Sequence, residues 1–199
     1  MTDVLDLAKY LLYLNKEEAE QAGDEAVSDI DPMKLQKLLY YCQGYSLGIT
    51  GRVLFEDKIE AWKYGPVVRT VYKEYQNYKG SWIPLDLVVS PPPMDDYVSH
   101  IAKLVMRDKG KYSATALMKM THKEPAWKEA WEKGLEEHGY QQFADYPISI
   151  ETMKGYFIDE LDDEELPEEE DEFWNFAGRK PTEEEWSFIS NWASNGCPV

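Results

Sequence analysis

The stretch Asp31–Gly48, DPMKLQKLLYYCQGYSLG, decides the fold class. Asp31 can accept a hydrogen bond from the free amides of a helix start, and Pro32 suits the first helical position, where its missing N–H would have no partner anyway. Behind this start Leu35, Leu38, Leu39, Cys42 and Tyr45 recur at intervals of three and four, which lays them along one apolar stripe. Lys34, Lys37 and Tyr41 fall towards another side, read either as an ordinary solvent-facing surface or as a surface that meets a partner. Gly48 and Gly51 are expected to end the helix.

The same reasoning extends in both directions along the chain. Upstream, Val4, Leu7, Ala8, Leu11 and Leu14 behind the cap Asp3 predict an amphipathic helix to about Asn15, followed by a polar helix end and loop. Downstream, Val53, Phe55, Ile59 and Trp62 favour a short extended segment or hairpin, with Trp62 in the core. Gly65-Pro66 is expected to break the chain and open a third helix carrying Val68, Val71, Tyr72, Tyr75 and Tyr78. The run Pro91-Pro92-Pro93 leads into a helix from about Asp95, with Val98, Ile101, Ala102 and Val105 inward. Ser113 caps a short helix through Leu117 and Met120. Pro125 opens another with Trp127 and Trp131 that Gly134 should close, and Ser149 caps one carrying Ile150, Met153 and Phe157.

The fold class that follows is mainly α: a compact multi-helix single domain over residues 1–157, with room for one short β-hairpin. Residues 158–199 read as an acidic linker and a short aromatic helix, in which Thr182 and Glu185 form a capping box ahead of Trp186, Ile189 and Trp192. A chain of 199 residues is long enough for one such core without disulfides or metals.

Charge and composition exclude several functions. The net charge of −17 disfavours direct contact with nucleic acid, whose binding draws on released counterions and therefore on basic residues. The excess peaks in Asp159–Glu172, which holds no Lys or Arg, so a basic partner is the better fit. No stretch approaches a membrane span, and the N-terminus lacks the features of a signal peptide. Cys42 sits in the apolar pattern as a free thiol would, far from Cys197, which suits a reduced cytoplasmic setting. His100, His122 and His138 show no metal-ligand spacing. His122 and Glu124 lack the Pro-Cys-x-x-Cys half of a deaminase site, and neither a phosphate loop nor a nucleophile elbow occurs. A non-enzymatic binding protein without cofactor or metal is the expectation.

Several motifs in fixed order give that expectation a more specific form. They are Met33–Tyr41 (MKLQKLLYY), Leu54-Phe55 leading to Ile59–Val68 (IEAWKYGPVV), Val71-Tyr72, then Thr121-His122 with Glu124, Pro125 and Trp127, and finally Ile150–Phe157. Together they resemble the Panacea domain, the antitoxin family that includes phage-associated GepA-like and SocA-like proteins. The resemblance covers roughly Val4 to Phe157. Ala126 separates Pro125 from Trp127 where the simplest pattern does not, and the stretch after Phe157 has no counterpart.

The resemblance implies a helical body that binds a cognate toxin directly, as the antitoxin of a type II-like toxin–antitoxin system, with the toxin gene adjacent. An alternative it also implies is an adaptor that delivers a bound toxin or client to an AAA+ protease. Candidate partner-contacting residues are Lys34, Lys37, Tyr41, Tyr64, Thr121, His122, Trp174, Trp186 and Trp192. For Thr121 and His122 the competing reading is a structural one, as caps and hydrogen-bond partners around the Pro125 turn. The aromatic tail either docks on its own body or enters a partner's groove. A homo-oligomer is left open.

Overall fold

A computed structural model describes residues 1–23, 30–138 and 143–163. In chain order the elements are α1 (Val4–Ala22), α2 (Pro32–Thr50), β1 (Ile59–Trp62), β2 (Gly65–Val68), α3 (Arg69–Tyr75), α4 (Asp96–Lys109), α5 (Ala114–Thr121), α6 (Pro125–His138), β3 (Phe143–Pro147) and α7 (Ile150–Asp163). The mainly α expectation holds, with a small antiparallel sheet of order β2-β1-β3.

Local capping chemistry places most helix starts. The Asp3, Asp31, Asp95 and Ser113 side chains accept from the amides of Leu5, Lys34, Tyr97 and Ala116, and Ser149 Oγ accepts from Thr152. Each such bond satisfies an amide that the helix itself cannot reach.

Helix α2 is the axis of the body. It touches α7, α4, β2, α5, α1 and α3, and 17 of its 19 residues are buried. One apolar stripe cannot describe a helix enclosed on all sides. The outward placement expected for Lys34, Lys37 and Tyr41 is therefore overturned: they are 1 %, 0 % and 2 % exposed.

Gly48 does not stop α2 but lets α7 in. A Cβ on Gly44 would stand 2.2 Å from the Phe157 ring, and one on Gly48 would stand 2.6 Å from the Phe157 carbonyl oxygen. Both residues are thus small because another helix crosses there. Phe157 fills the space and packs edge-on against Tyr40, Tyr41 and Tyr45, and burying such a ring stabilises by about 1.5–3 kcal/mol. The helix ends one residue before Gly51, whose φ of 70° suits a residue without Cβ.

Four other expectations change. Gly65-Pro66 opens a strand rather than a helix: Ala61 faces Pro66 and Trp62 faces Gly65 in the β1–β2 hairpin, and α3 starts only at Arg69. An edge strand tolerates proline, because the missing N–H need not serve a second neighbour. Helix α1, by contrast, runs to Ala22 with Gly23 at its C-cap, as the polar helix end expected after Asn15 requires. Helix α6 runs through Gly134 to His138. Strand β3 was not anticipated and pairs with β1, while α7 continues past Phe157 to Asp163 with Leu161 buried.

Candidate functional site

The polar residues of α2 each fasten a different element. Gln36 Oε1 accepts from the Val68 amide at 2.7 Å, which holds the end of β2. Lys37 Nζ donates to the Pro66 carbonyl at 2.9 Å, two residues earlier in the strand. Gln43 bridges Leu54 N and Phe55 O. Ser46 donates to the Arg52 carbonyl, and Tyr45 meets Asp108 at the end of α4.

Glu124 is the meeting point of the buried polar network. It sits immediately before α6, 4 % exposed, and its carboxylate accepts from Tyr40 at 2.5 Å and from Tyr41 at 2.8 Å. Burial raises its pKa above the ordinary value, while the two hydroxyl donors and the nearby Lys109 pull the other way. Lys109 in turn stands over the Tyr41 ring, 5.3 Å from its centre. Burial and the Glu124 charge push both tyrosines far towards the neutral phenol, which is the form that donates to a carboxylate.

The hairpin closes against the same node. Gly65 has φ 96°, and a Cβ there would stand 2.7 Å from Lys37 Cε and 2.9 Å from both Lys37 Nζ and Thr121 Oγ1. Thr121 donates to Met118 O at 2.9 Å. Trp127 Nε1 donates to the Trp62 carbonyl at 3.0 Å, so α6 is tied to the last residue of β1.

His122 stacks on Trp127 with ring centres 4.0 Å apart, and Trp127 stacks on Trp131. Its Nε2 is buried without a hydrogen-bond partner among the described residues. Burial and the Lys37 charge lower its pKa, which favours the neutral ring in this stack. Burial also lowers Lys37 to about 7, only partly offset by Asp31.

The structure thus brings Lys37, Tyr41, Thr121 and His122 together, but as an interior clasp. Thr121 is fully buried and His122 half-buried. Lys34 lies on the same enclosed helix. Tyr64 alone among the described candidates is well exposed, at 55 %, on the hairpin tip with Lys63 over its ring. Trp174, Trp186 and Trp192 lie outside the described residues.

Sequence reasoning missed two features. The first is Glu124, which sequence spacing sets beside His122, whereas the adjacent tyrosines Tyr40 and Tyr41, both needing acceptors if buried, are the signal that points to it. The second is the connector after α3, which exposes Trp82 at 57 %, Leu87 at 43 % and Val89 at 82 %. Among the described residues, no three His, Cys, Asp or Glu gather as a metal site would require, and no helix is long and apolar enough to cross a membrane.

Comparison with known proteins confirms the resemblance read from the motifs. The family model for "Antitoxin SocA-like, Panacea domain" matches residues 35–128, the segment from α2 to the start of α6 that holds the clasp. Antitoxin SocA of Caulobacter vibrioides (strain NA1000 / CB15N) is 33% identical over 104 residues, 47% of this chain and 55% of that protein. The chain therefore matches little more than half the length of this relative. No solved structure matches it.

Proposed function

We propose, starting from the Panacea-domain match over residues 35–128, that this chain is a non-enzymatic antitoxin that neutralises a partner toxin by direct protein–protein binding. The observation that carries the reading is the 33% identity over 104 residues to a protein named as an antitoxin, together with the family match over residues 35–128, the segment that builds the clasp. The pair would be of the type II-like kind, cytoplasmic, with the toxin encoded beside this gene. A net charge of −17 favours a basic toxin, drawn in by long-range attraction.

Geometry supports a division of labour. The shared motif residues are largely interior, so they fix the body, and what touches a toxin must stand outside them. Tyr64 is the best-placed anchor: the residue after it is held against Lys37 and Thr121, so the exposed ring projects from a rigid base. Rigid aromatic anchors commonly dominate binding energy. No step of this function needs a reaction.

Co-expression with the neighbouring open reading frame tests the reading. The chain should restore growth and co-purify with that product, and Tyr64→Ala should weaken capture at least tenfold with unchanged thermal stability. Absence of both rescue and co-purification would refute it. A second reading, delivery of the bound client to an AAA+ protease, is favoured by the residues after α7, which fall outside the matched segment. It requires that removal of residues 164–199 abolish client turnover while client binding persists.

A further inference from the structure

Lys37 is enclosed by the body and thinly fastened there. An ammonium offers three donors, and among the described residues Lys37 has one hydrogen-bond acceptor, the Pro66 carbonyl at 2.9 Å. A buried charge is costly unless it is paired and hydrogen-bonded, so the site suits the neutral amine. His122 is in a similar position. Its Nε2 is buried without a hydrogen-bond partner among the described residues, and the charge that bears on its ring is that of Lys37. Thr121, the residue before it, closes on Gly65 together with Lys37: a Cβ there would stand 2.9 Å from both Lys37 Nζ and Thr121 Oγ1.

The carboxylates on the surrounding elements are engaged elsewhere. Asp31, at the start of α2, is the one whose charge reaches Lys37, and it offsets only part of the cost of burial. Lys34, one turn earlier on the same helix, is buried as well. On the hairpin and α3, Glu60 is taken by Arg69 and the Trp62 indole, and Lys63 sits over the Tyr64 ring. Lys119 of α5, Lys123 and Lys128 are exposed. Glu124, at the head of α6, is held by Tyr40 and Tyr41, with Lys109 of α4 and Glu160 of α7 acting on it.

Two bonds bracket the part of the hairpin that Lys37 fastens. Trp127 Nε1 holds the Trp62 carbonyl, and Gln36 Oε1 holds the Val68 amide. Between them Lys63–Val67 form the tip, whose later residues belong to β2, the edge strand next to β1. Helix α2 is enclosed on all sides, so the tip is the element that can yield.

We propose that Lys37 and His122 act as a proton-operated latch on this tip: it lies closed on α2 while both are neutral, and when they take up protons it opens locally, between the two held points, and lets water reach them. Burial lowers Lys37 from 10.5 to about 7 in spite of Asp31, and burial, then the Lys37 charge, lowers His122 from its ordinary 6.5. The closed tip therefore binds fewer protons than the open one, and acid favours opening. For Lys37 the gain accrues as pH falls from 10.5 to about 7, by up to about tenfold per pH unit, and His122 extends it below 6.5. The latch does not rest on the antitoxin reading; if Tyr64 anchors a partner as proposed above, acid would also weaken that hold.

Amide hydrogen exchange of the full chain, followed by NMR and expressed as protection relative to the intrinsic rate at each pH, tests the latch. Between pH 9 and 7 the Gly65 and Val67 amides should lose protection by up to about tenfold per unit. Urea below the unfolding range should leave their exchange unchanged, because a local opening exposes little surface, while the Leu38 and Leu39 amides of α2 speed up. Lys37→Met should flatten the loss between pH 9 and 7, and His122→Gln the part below 6.5. Constant protection of the tip from pH 9 to 5, a urea response equal to that of α2, or an unchanged slope in either variant would overturn the proposal. Should Lys37→Met fail to fold, the first two readings on the unaltered chain decide.

Discussion

Helix α2 and the connector at residues 79–95 invert each other's chemistry. The helix buries Lys34, Gln36, Lys37, Gln43 and Ser46, whereas the connector exposes Trp82, Leu87 and Val89 and keeps only Ile83 and Val88 inside. In the helix, polar groups serve as fasteners: Gln36, Lys37, Gln43 and Ser46 each reach a backbone group of another segment. In the connector, a few anchors suffice, such as Ile83 N to Ile30 O at 2.9 Å, and the large side chains are left outward. Burial here follows position in the topology more closely than residue polarity. Buried polar groups are costly unless satisfied, so they specify one arrangement, while exposed apolar groups mark a surface available to a partner.

The comparison breaks first at Glu124. Replacing it with Ala leaves the Tyr40 and Tyr41 hydroxyls buried without their acceptor, and urea unfolding should show a loss of about 3–5 kcal/mol. Glu124→Gln, which keeps one acceptor oxygen, should recover part of it. A loss below about 1 kcal/mol would mean that the polar fasteners do not specify the fold.

Lys37 sharpens the same contrast through pH. Its ordinary pKa of 10.5 falls to about 7 on folding, so between these values the unfolded chain binds the extra proton more readily. The stability contributed by neutral Lys37 is present above pH 10.5 and is lost as pH falls through about 7. Stability should therefore rise with pH across that window, by up to about 1.4 kcal/mol per pH unit. In Lys37→Met this contribution to the slope should vanish, and an unchanged slope would remove Lys37 from the account.

Gly65→Ala comes next. The added Cβ would meet Lys37 and Thr121 at a backbone angle that disfavours L side chains, and thermal melts should report a loss of about 2–3 kcal/mol. The smallest effect belongs to the connector: Trp82→Ala should change stability by less than about 0.5 kcal/mol. If the connector contributes to the toxin surface, the same change weakens capture in the co-expression assay. A large loss of stability would show that Trp82 belongs to the core after all.

Much of the site's composition was legible, and little of its orientation. The Thr121-His122-x-Glu124-Pro125 segment was singled out, yet its partners on α2 are more than 80 residues away in sequence for Tyr40 and Tyr41. Gly65-Pro66 on its own suits a helix opening, because the dipeptide breaks regular structure in several contexts. The β1 partner that makes it a strand is a tertiary fact. Strand β3 escaped notice for a similar reason, since its pairing with β1 spans α3 to α6.

What the sequence determined by itself was local: the capped starts at Asp3, Asp31, Asp95, Ser113 and Ser149, the mainly α character, and the ordered motifs that resemble the Panacea domain. Capping bonds close within two or three residues, so the chain's own order decides them. Only the tertiary structure decided that α2 is enclosed, that Lys37 and Tyr41 face inward, and that Gly44 and Gly48 receive α7. Those outcomes depend on which helices surround α2, and a periodic pattern records that a side is apolar without recording how many neighbours will cover the rest.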